Sequence, residues 1–298
     1  MLKNADIHLR DPFVMVYEGK YYLYGTRGRD ARSSVSGFDV YTGDDLVSWT
    51  GPRSVFEAGR GFWGERQFWA PEVHEYRGRF YMFASFAADG RSRASHVLVS
   101  GRPDGPFVPL TDAPVTPDGW ECLDATLFVG EDGRPYMVFC REWLQIGDGT
   151  VCCVPLKEDL SARDGEPEVL FSGSSNPLNG AVGHPRFGKA YVTDGPFLWR
   201  TADGRLLMLW SSVGRERNYQ LLVSESSSGT VRGPWRHFPR PLFSRDGGHG
   251  MLFRDLCGGL VLTIHRPNSN PDERPAFFRV VECGEGLRIL SNRAGSFA

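Results

Sequence analysis

Two carboxylates frame one stretch of this chain. Asp124 and Glu142 flank Ala125–Cys140, in which ATLFV and PYMVFC are apolar runs separated by GEDGR, with Gly130 and Gly133. Short runs rich in β-branched and aromatic residues around a glycine turn read as a β-hairpin. The second strand of a hairpin returns beside the start of the first. Asp124 and Glu142 therefore lie at one rim. Two carboxyl groups so placed divide acid and base work when their surroundings differ. Taken alone, the hairpin also fits a plainer reading, with Asp124 bonding local N–H groups and Glu142 a solvated strand end.

The element that must position these groups is repeated. RDPFVMVYEGKYYLYGT (Arg10–Thr26), WAPEVHEYRGRFYMFAS (Trp69–Ser85), the stretch Cys122–Trp143, TDGPFLWRTADGRLLMLWS (Thr193–Ser211) and GGHGMLFRDLCGGLVLTIH (Gly247–His265) are each a strand, a glycine turn and a strand. Their starts fall near Asp11, Ala70, Asp124, Asp194 and His249, spaced 59, 54, 70 and 55 residues apart. Third strands follow at Asp39–Gly43, His96–Gly101, Val151–Leu156, Gln220–Ser226 and Ala276–Val281. Fourth strands fit Ser54–Ala58, Pro106–Leu110, Pro167–Phe171, Pro234–Phe238 and Leu287–Leu290. Several strands per unit at this period predict an all-β, five-bladed β-propeller. A single domain over residues 1–298 is expected, with a long loop at Ser172–Val192 and short helical pieces only near Asp44–Ser48 and Lys157–Leu160.

In a propeller the first strand of every blade lines the central channel, so the strand starts converge at one mouth. That gathers Asp11, Asp124, Asp194 and His249 from four blades, with Glu142 and Trp143 arriving from a second strand. Carboxylates crowded in a desolvated cleft repel, and their pKa values split into a proton donor and an ionised base. Glycoside hydrolysis uses such a pair.

The motifs RDPF (Arg10–Phe13), WAPEV (Trp69–Val73), LDATLF (Leu123–Phe128), DGPFL (Asp194–Leu198) and GHGM (Gly248–Met251) resemble, in order and over nearly the whole chain, the five-bladed propeller glycoside hydrolases of family 43. The resemblance implies an inverting, exo-acting glycosidase on arabinofuranosyl, xylosyl or galactofuranosyl oligosaccharides. It makes Asp11 the general base and Asp124 the group that orients the acid and raises its pKa. The family's acid is a Glu at the start of blade four, where this chain has Asp194. Aspartate is one methylene shorter, and reach comes first in general acid catalysis. Three readings stand: Asp194 is the acid on a shifted backbone, Glu142 supplies the proton, or the site binds sugar without cleaving it. A related propeller hydrolase of the neoagarobiose type, with His249 or His184 as acid, is a further alternative.

His249 falls where the family keeps a channel histidine that contacts a cation, commonly calcium, through water. The alternative is a histidine bonded to a neighbouring blade, since one histidine is no metal signature. No other cofactor is implied. Trp69 and Trp143 adjoin strand ends at the mouth and suit stacking on a sugar face, whereas Phe68 and Trp120 read more simply as packing. Arg10 and Arg141 suit sugar hydroxyls or carboxylate tuning. Glu65 is an outside candidate on the loop before blade two, and Asp246 reads as a turn residue.

Composition narrows the classes. A net charge of −2 over 298 residues gives no electrostatic case for nucleic acid or an anionic membrane. Aromatic content of 13% suits sheets and sugar-stacking surfaces alike. There is no GxSxG, HExxH or phosphate loop. No apolar run approaches a membrane span, and the N-terminal MLKNADIHLRDP lacks an apolar leader. Six cysteines without CxxC spacing, four of them in or beside apolar runs, read as reduced thiols. A cytoplasmic location follows as the expectation, and a small oligosaccharide as the partner.

Overall fold

A computed structural model describes residues 1–27 and 36–290, so residues 28–35 and 291–298 of the expected 1–298 span lie outside it. Five antiparallel sheets form the blades, each with four strands in sequence order from the channel outward, and blade one adds the N-terminal Leu2–Lys3 at its outer edge. The channel strands are Leu9–Tyr17, Arg66–Tyr76, Cys122–Val129, Asp194–Arg200 and Gly248–Arg254. The second strands are Lys20–Arg27, Arg79–Ala88, Pro135–Arg141, Leu206–Val213 and Leu260–Arg266. Third strands (Gly37–Gly43, Arg91–Ser100, Thr150–Pro155, Tyr219–Ser226, Arg274–Cys283) and outer strands (Ser48–Glu57, Val108–Pro109, Glu168–Ser172, Trp235–His237, Gly286–Ile289) complete them.

The second strands carry no polar alternation because both faces are covered by neighbouring blades. Leu206–Ser212 is buried throughout. The hairpin turns have a local cause. Glu18-Gly19 and Arg77-Gly78 both sit at positive φ, the two-residue turn whose twist matches paired strands. The cores lie between blades, as in the cluster that joins Met137 and Phe139 of blade three to Phe83 and Val97 of blade two. The first four cysteines are buried free thiols.

Two expectations fail locally. Asp44–Ser48 is not helical, because Asp45 Oδ1 accepts the N–H groups of Val47 and Ser48 and holds a tight turn. Lys157–Leu160 is one turn, closed by Leu160 N–H on the Lys157 carbonyl and ended by Leu160 at φ +62°. A helical turn does form at Trp143–Ile146, between the second and third strands of blade three. The long loop holds a small hairpin, Val182–His184 with Gly188–Ala190.

Every channel strand breaks register at the same place: after Arg10, Trp69, Leu123, Asp194 and Gly248. The next residue is left-handed in each: Asp11 (φ +52°), Ala70 (+46°), Asp124 (+56°), Gly195 (+52°) and His249 (+48°). This fivefold bulge corrects the alignment read from sequence. Asp194 is not the counterpart of Asp11 and Asp124. It precedes the bulge, as Arg10 and Leu123 do, and Gly195 holds the left-handed position.

Candidate active site

The bulges place the carboxylates. A left-handed residue turns its side chain out of the pleat, and Asp11 and Asp124 enter the channel mouth from it. Asp194 reaches the same space one residue earlier. There they line a cavity of about 400 Å³ together with Glu142, His249, Arg10, Trp69 and Trp143. Its wall also includes Thr26, Arg93, Tyr219, Leu144, Asn268 and Asn270, which sequence reasoning missed.

Asp11 is buried against cations. Its Oδ1 lies 3.1 Å from His249 Nδ1, and its Oδ2 accepts the Thr26 hydroxyl at 2.6 Å. Burial would raise its carboxyl. The His249 charge and hydrogen bond, then Arg10, reverse this and hold it far below the ordinary carboxylate range. His249 answers in kind: burial opposes its charge, but Asp11 and Asp124 push it up to about 10. It is an imidazolium at neutral pH. His265 stacks on Tyr219 with ring centroids 5.6 Å apart, and burial with the nearby Arg10 lowers it to about 3. It is therefore neutral, and its Nδ1 accepts the Asp11 N–H at 3.2 Å. Arg10 is pinned by Glu273 of blade five at 2.6 Å.

Asp124 and Asp194 go the other way. Burial raises Asp124 to about 6; His249 opposes this and Asp11 adds to it. Its Oδ2 accepts the Gly195 N–H at 3.0 Å. Burial, then Asp124 and Glu142, raise Asp194 to about 8. Tyr219 donates its hydroxyl to Asp194 Oδ2 at 3.0 Å. Asp246, at a turn as expected, accepts the N–H groups of Tyr219 and Asn268 and so braces two wall residues.

Glu142 is buried and ion-paired to Arg93, while its Oε1 accepts the Leu144 N–H at the start of the helical turn. The Arg93 guanidinium lies 4.5 Å over the Trp69 ring, which covers one face of that candidate platform. Trp143 meets His184 edge-on at 5.9 Å. Arg141 is a correction. It is absent from the cavity wall, and its guanidinium lies 4.0 Å over Trp120, which it covers. Strand alternation explains this, since a residue next to Glu142 faces the other side. Phe68 is in the core, and Glu65 accepts the Asp89 N–H on the surface. His184 caps its own loop by accepting the Arg186 and Phe187 N–H groups, outside the cavity wall.

His249 does not suit a direct bond to a cation. A ligating imidazole must be neutral, and this one is charged and engaged by Asp11. Among the described residues, no three His, Cys, Asp or Glu side chains are grouped to hold a metal ion. These side chains therefore offer a cation no direct ligand set, and no step below passes through one.

The fold and this mouth define a five-bladed propeller with oppositely tuned carboxyls in one cavity. The chain belongs to the glycosyl hydrolases family 43, whose pattern it matches over residues 6–281, and it is a glycosidase. It is 24% identical to an extracellular exo-α-(1→5)-L-arabinofuranosidase of Cellvibrio japonicus, over 78% of this chain and 67% of that one. It is 26% identical to a β-D-galactofuranosidase of Aspergillus niger, over 96% and 80%. Among solved structures, an endo-arabinase from Bacteroides thetaiotaomicron superposes with a TM-score of 0.87 at 38% identity, over 100% of this chain and 99% of that one.

Proposed function

We propose that this chain removes terminal L-arabinofuranosyl units from short oligosaccharides, with inversion at the anomeric carbon. The observation that carries the reading is the opposite tuning of two buried carboxyls in one cavity. Asp11 is held ionised by His249 and Arg10, and Asp194 is kept protonated at neutral pH by burial and two carboxylate neighbours. An inverting hydrolase needs that division, a base to activate water and an acid to protonate the leaving oxygen.

Asp11 is the base. With Thr26 on Oδ2 and His249 at Oδ1, the carboxylate keeps lone pairs for a water. Asp194 is the acid. Tyr219 donates to its Oδ2, so the carboxyl proton sits on Oδ1, free to pass to the leaving oxygen. The backbone supports the shorter acid, because Asp194 leaves the strand one residue before the bulge rather than from it. Glu142 serves less well as donor, since Arg93 occupies its Oε2 and the Leu144 N–H its Oε1. Asp124 remains between them: its charge raises Asp194, and it helps keep His249 charged. The arabinofuranosyl preference rests on relatives that act on arabinan linkages. The exo mode rests on Trp143, Leu144, Asn268 and Asn270 walling the cavity.

The test uses 4-nitrophenyl α-L-arabinofuranoside and linear α-1,5-arabino-oligosaccharides. Proton NMR of the first product should show the β-anomer, and chromatography should show arabinose alone. Asp11→Asn and Asp194→Asn should each lose at least about a hundredfold in kcat. First release of the α-anomer overturns inversion, release of oligomers alone overturns the exo mode, and full activity in Asp11→Asn overturns the base.

A further inference from the structure

The left-handed residue of each channel strand aims its N–H at the blade before it. Four of the five are met in the same way. Ala70 N–H donates to Thr26 Oγ1 at 2.7 Å, Asp124 N–H to Ser85 Oγ at 3.0 Å, His249 N–H to Ser211 Oγ at 2.8 Å and Asp11 N–H to His265 Nδ1 at 3.2 Å. These acceptors share one position. Each pairs, within its own blade, with the residue before the bulge: Thr26 with Arg10, Ser85 with Trp69, Ser211 with Asp194 and His265 with Gly248. Blade three has Cys140 there, paired with Leu123.

A thiol is a weak acceptor. Burial and the neighbouring carboxylates Asp124 and Asp194 raise Cys140 well above its ordinary range, so it stays a neutral S–H. The Gly195 N–H turns instead to Asp124 Oδ2 at 3.0 Å. Blade one shows the complementary case. Thr26 Oγ1 accepts within the ring, which frees its one proton to be donated, and that proton goes to Asp11 Oδ2 at 2.6 Å.

We propose that this ring of interblade bonds positions the carboxylates: the hydroxyl missing at Cys140 releases the Gly195 N–H to orient Asp124, and Thr26 orients Asp11. Cys140 and Thr26 are positioning residues. The inference rests on the catalytic reading above but adds residues that reading does not need. The same ring predicts that a hydroxyl restored in blade three competes with Asp124 for the Gly195 N–H.

The experiment compares Cys140→Ser with Cys140→Ala on 4-nitrophenyl α-L-arabinofuranoside. Serine is nearer to cysteine in shape, so a purely structural role makes serine the milder change. The ring predicts the reverse. Cys140→Ser should lose about tenfold or more in kcat, the effect of one bond to a charged group, with KM and Tm little changed. Cys140→Ala should lose less than Cys140→Ser. Equal kcat for the two, or a milder serine, overturns the Asp124 part. In blade one, Thr26→Ser keeps both bonds and Thr26→Val keeps neither. Thr26→Val should lose about tenfold or more in kcat at a temperature where both stay folded, with Thr26→Ser near wild type. Equal kcat for that pair overturns the Asp11 part. Wild type, Asp11→Asn and Asp194→Asn run alongside. If those two asparagine variants are inactive while serine and alanine agree at Cys140, positioning fails and the catalytic reading stands.

Discussion

Asp194 shows how burial converts one residue type into two reagents. It and Asp11 are both aspartates in one cavity, and both lose hydration. What separates them is the sign of their neighbours: His249 and Arg10 beside Asp11, Asp124 and Glu142 beside Asp194. On the proposed roles, the active form needs Asp11 ionised, Asp194 protonated and Asp124 ionised. Raising the pH through about 8 removes the Asp194 proton, so the alkaline limb of kcat/KM belongs there. Lowering it through about 6 protonates Asp124, and the acid limb follows. Asp11 titrates far below both. Tyr219 supplies a handle on the alkaline limb. Its hydroxyl stabilises the ionised form of Asp194 and so lowers that pKa. Tyr219→Phe should move the alkaline limb upward and leave the acid limb in place, as read from the kcat/KM profile of the free enzyme. An alkaline limb that stays put, or moves down, assigns it to a group other than Asp194.

At the scale of the element, the bulge is the working part of the channel strand. Four of its five left-handed positions are Asp11, Ala70, Asp124 and His249, none with glycine's freedom. Blade four alone has glycine, and the reason is local. A Cβ on Gly195 would lie 2.6 to 3.0 Å from three atoms of the His249 ring, closer than packing allows, at a φ that costs an L-residue roughly 1 kcal/mol or more. Gly195→Ala should lower Tm and also kcat, because the ring it displaces holds Asp11 ionised. A variant that loses stability but keeps its pH profile separates the two effects. This element also marks where sequence reading stopped. The hairpins were legible from apolar runs around glycine turns, and three channel carboxylates from the repeat that aligned them. The offset of Asp194 was not, because Asp, Ala and His at left-handed φ leave no glycine to mark the bulge. Thr26, Arg93 and Tyr219 were missed for another reason. Ala70 and Glu142 meet Thr26 and Arg93 from the next blade, and Tyr219 reaches Asp194 from the third strand of its own, contacts that no single hairpin encodes. Thr26 alone had a signal, since Ser85, Cys140, Ser211 and His265 end the second strands of the other units in the same register.

At the scale of the whole molecule, the ring must close, and it closes beside Asp11, the proposed base. The N-terminal strand Leu2–Lys3 pairs within blade one, with Leu2 opposite Trp49, so among the described residues no strand from one end of the chain completes the blade at the other. Blades one and five are joined by side chains and a few main-chain bonds. Trp49, fully buried, stacks on Phe277 at 5.9 Å and donates its indole N–H to Asn4 at 2.7 Å. Tyr21 meets Phe253 edge-on and accepts the Leu256 N–H, and Arg10 pairs with Glu273. Asp11 sits on one side of this seam and His249 and His265 on the other. Opening the seam therefore strips the base of the charge that keeps it ionised, before any blade unfolds. Trp49→Ala should cost about 3–5 kcal/mol, as for other buried large aromatics. Met137→Ala, in the core between blades two and three, should cost about 2–5 kcal/mol without touching the seam. In a urea titration followed by far-UV circular dichroism and by hydrolysis rate together, Trp49→Ala should lose activity at a lower urea concentration than it loses its sheet signal. In Met137→Ala the two losses should coincide. Coincident losses in both variants show that the blades unfold as one unit, and that the seam gives the base no separate vulnerability.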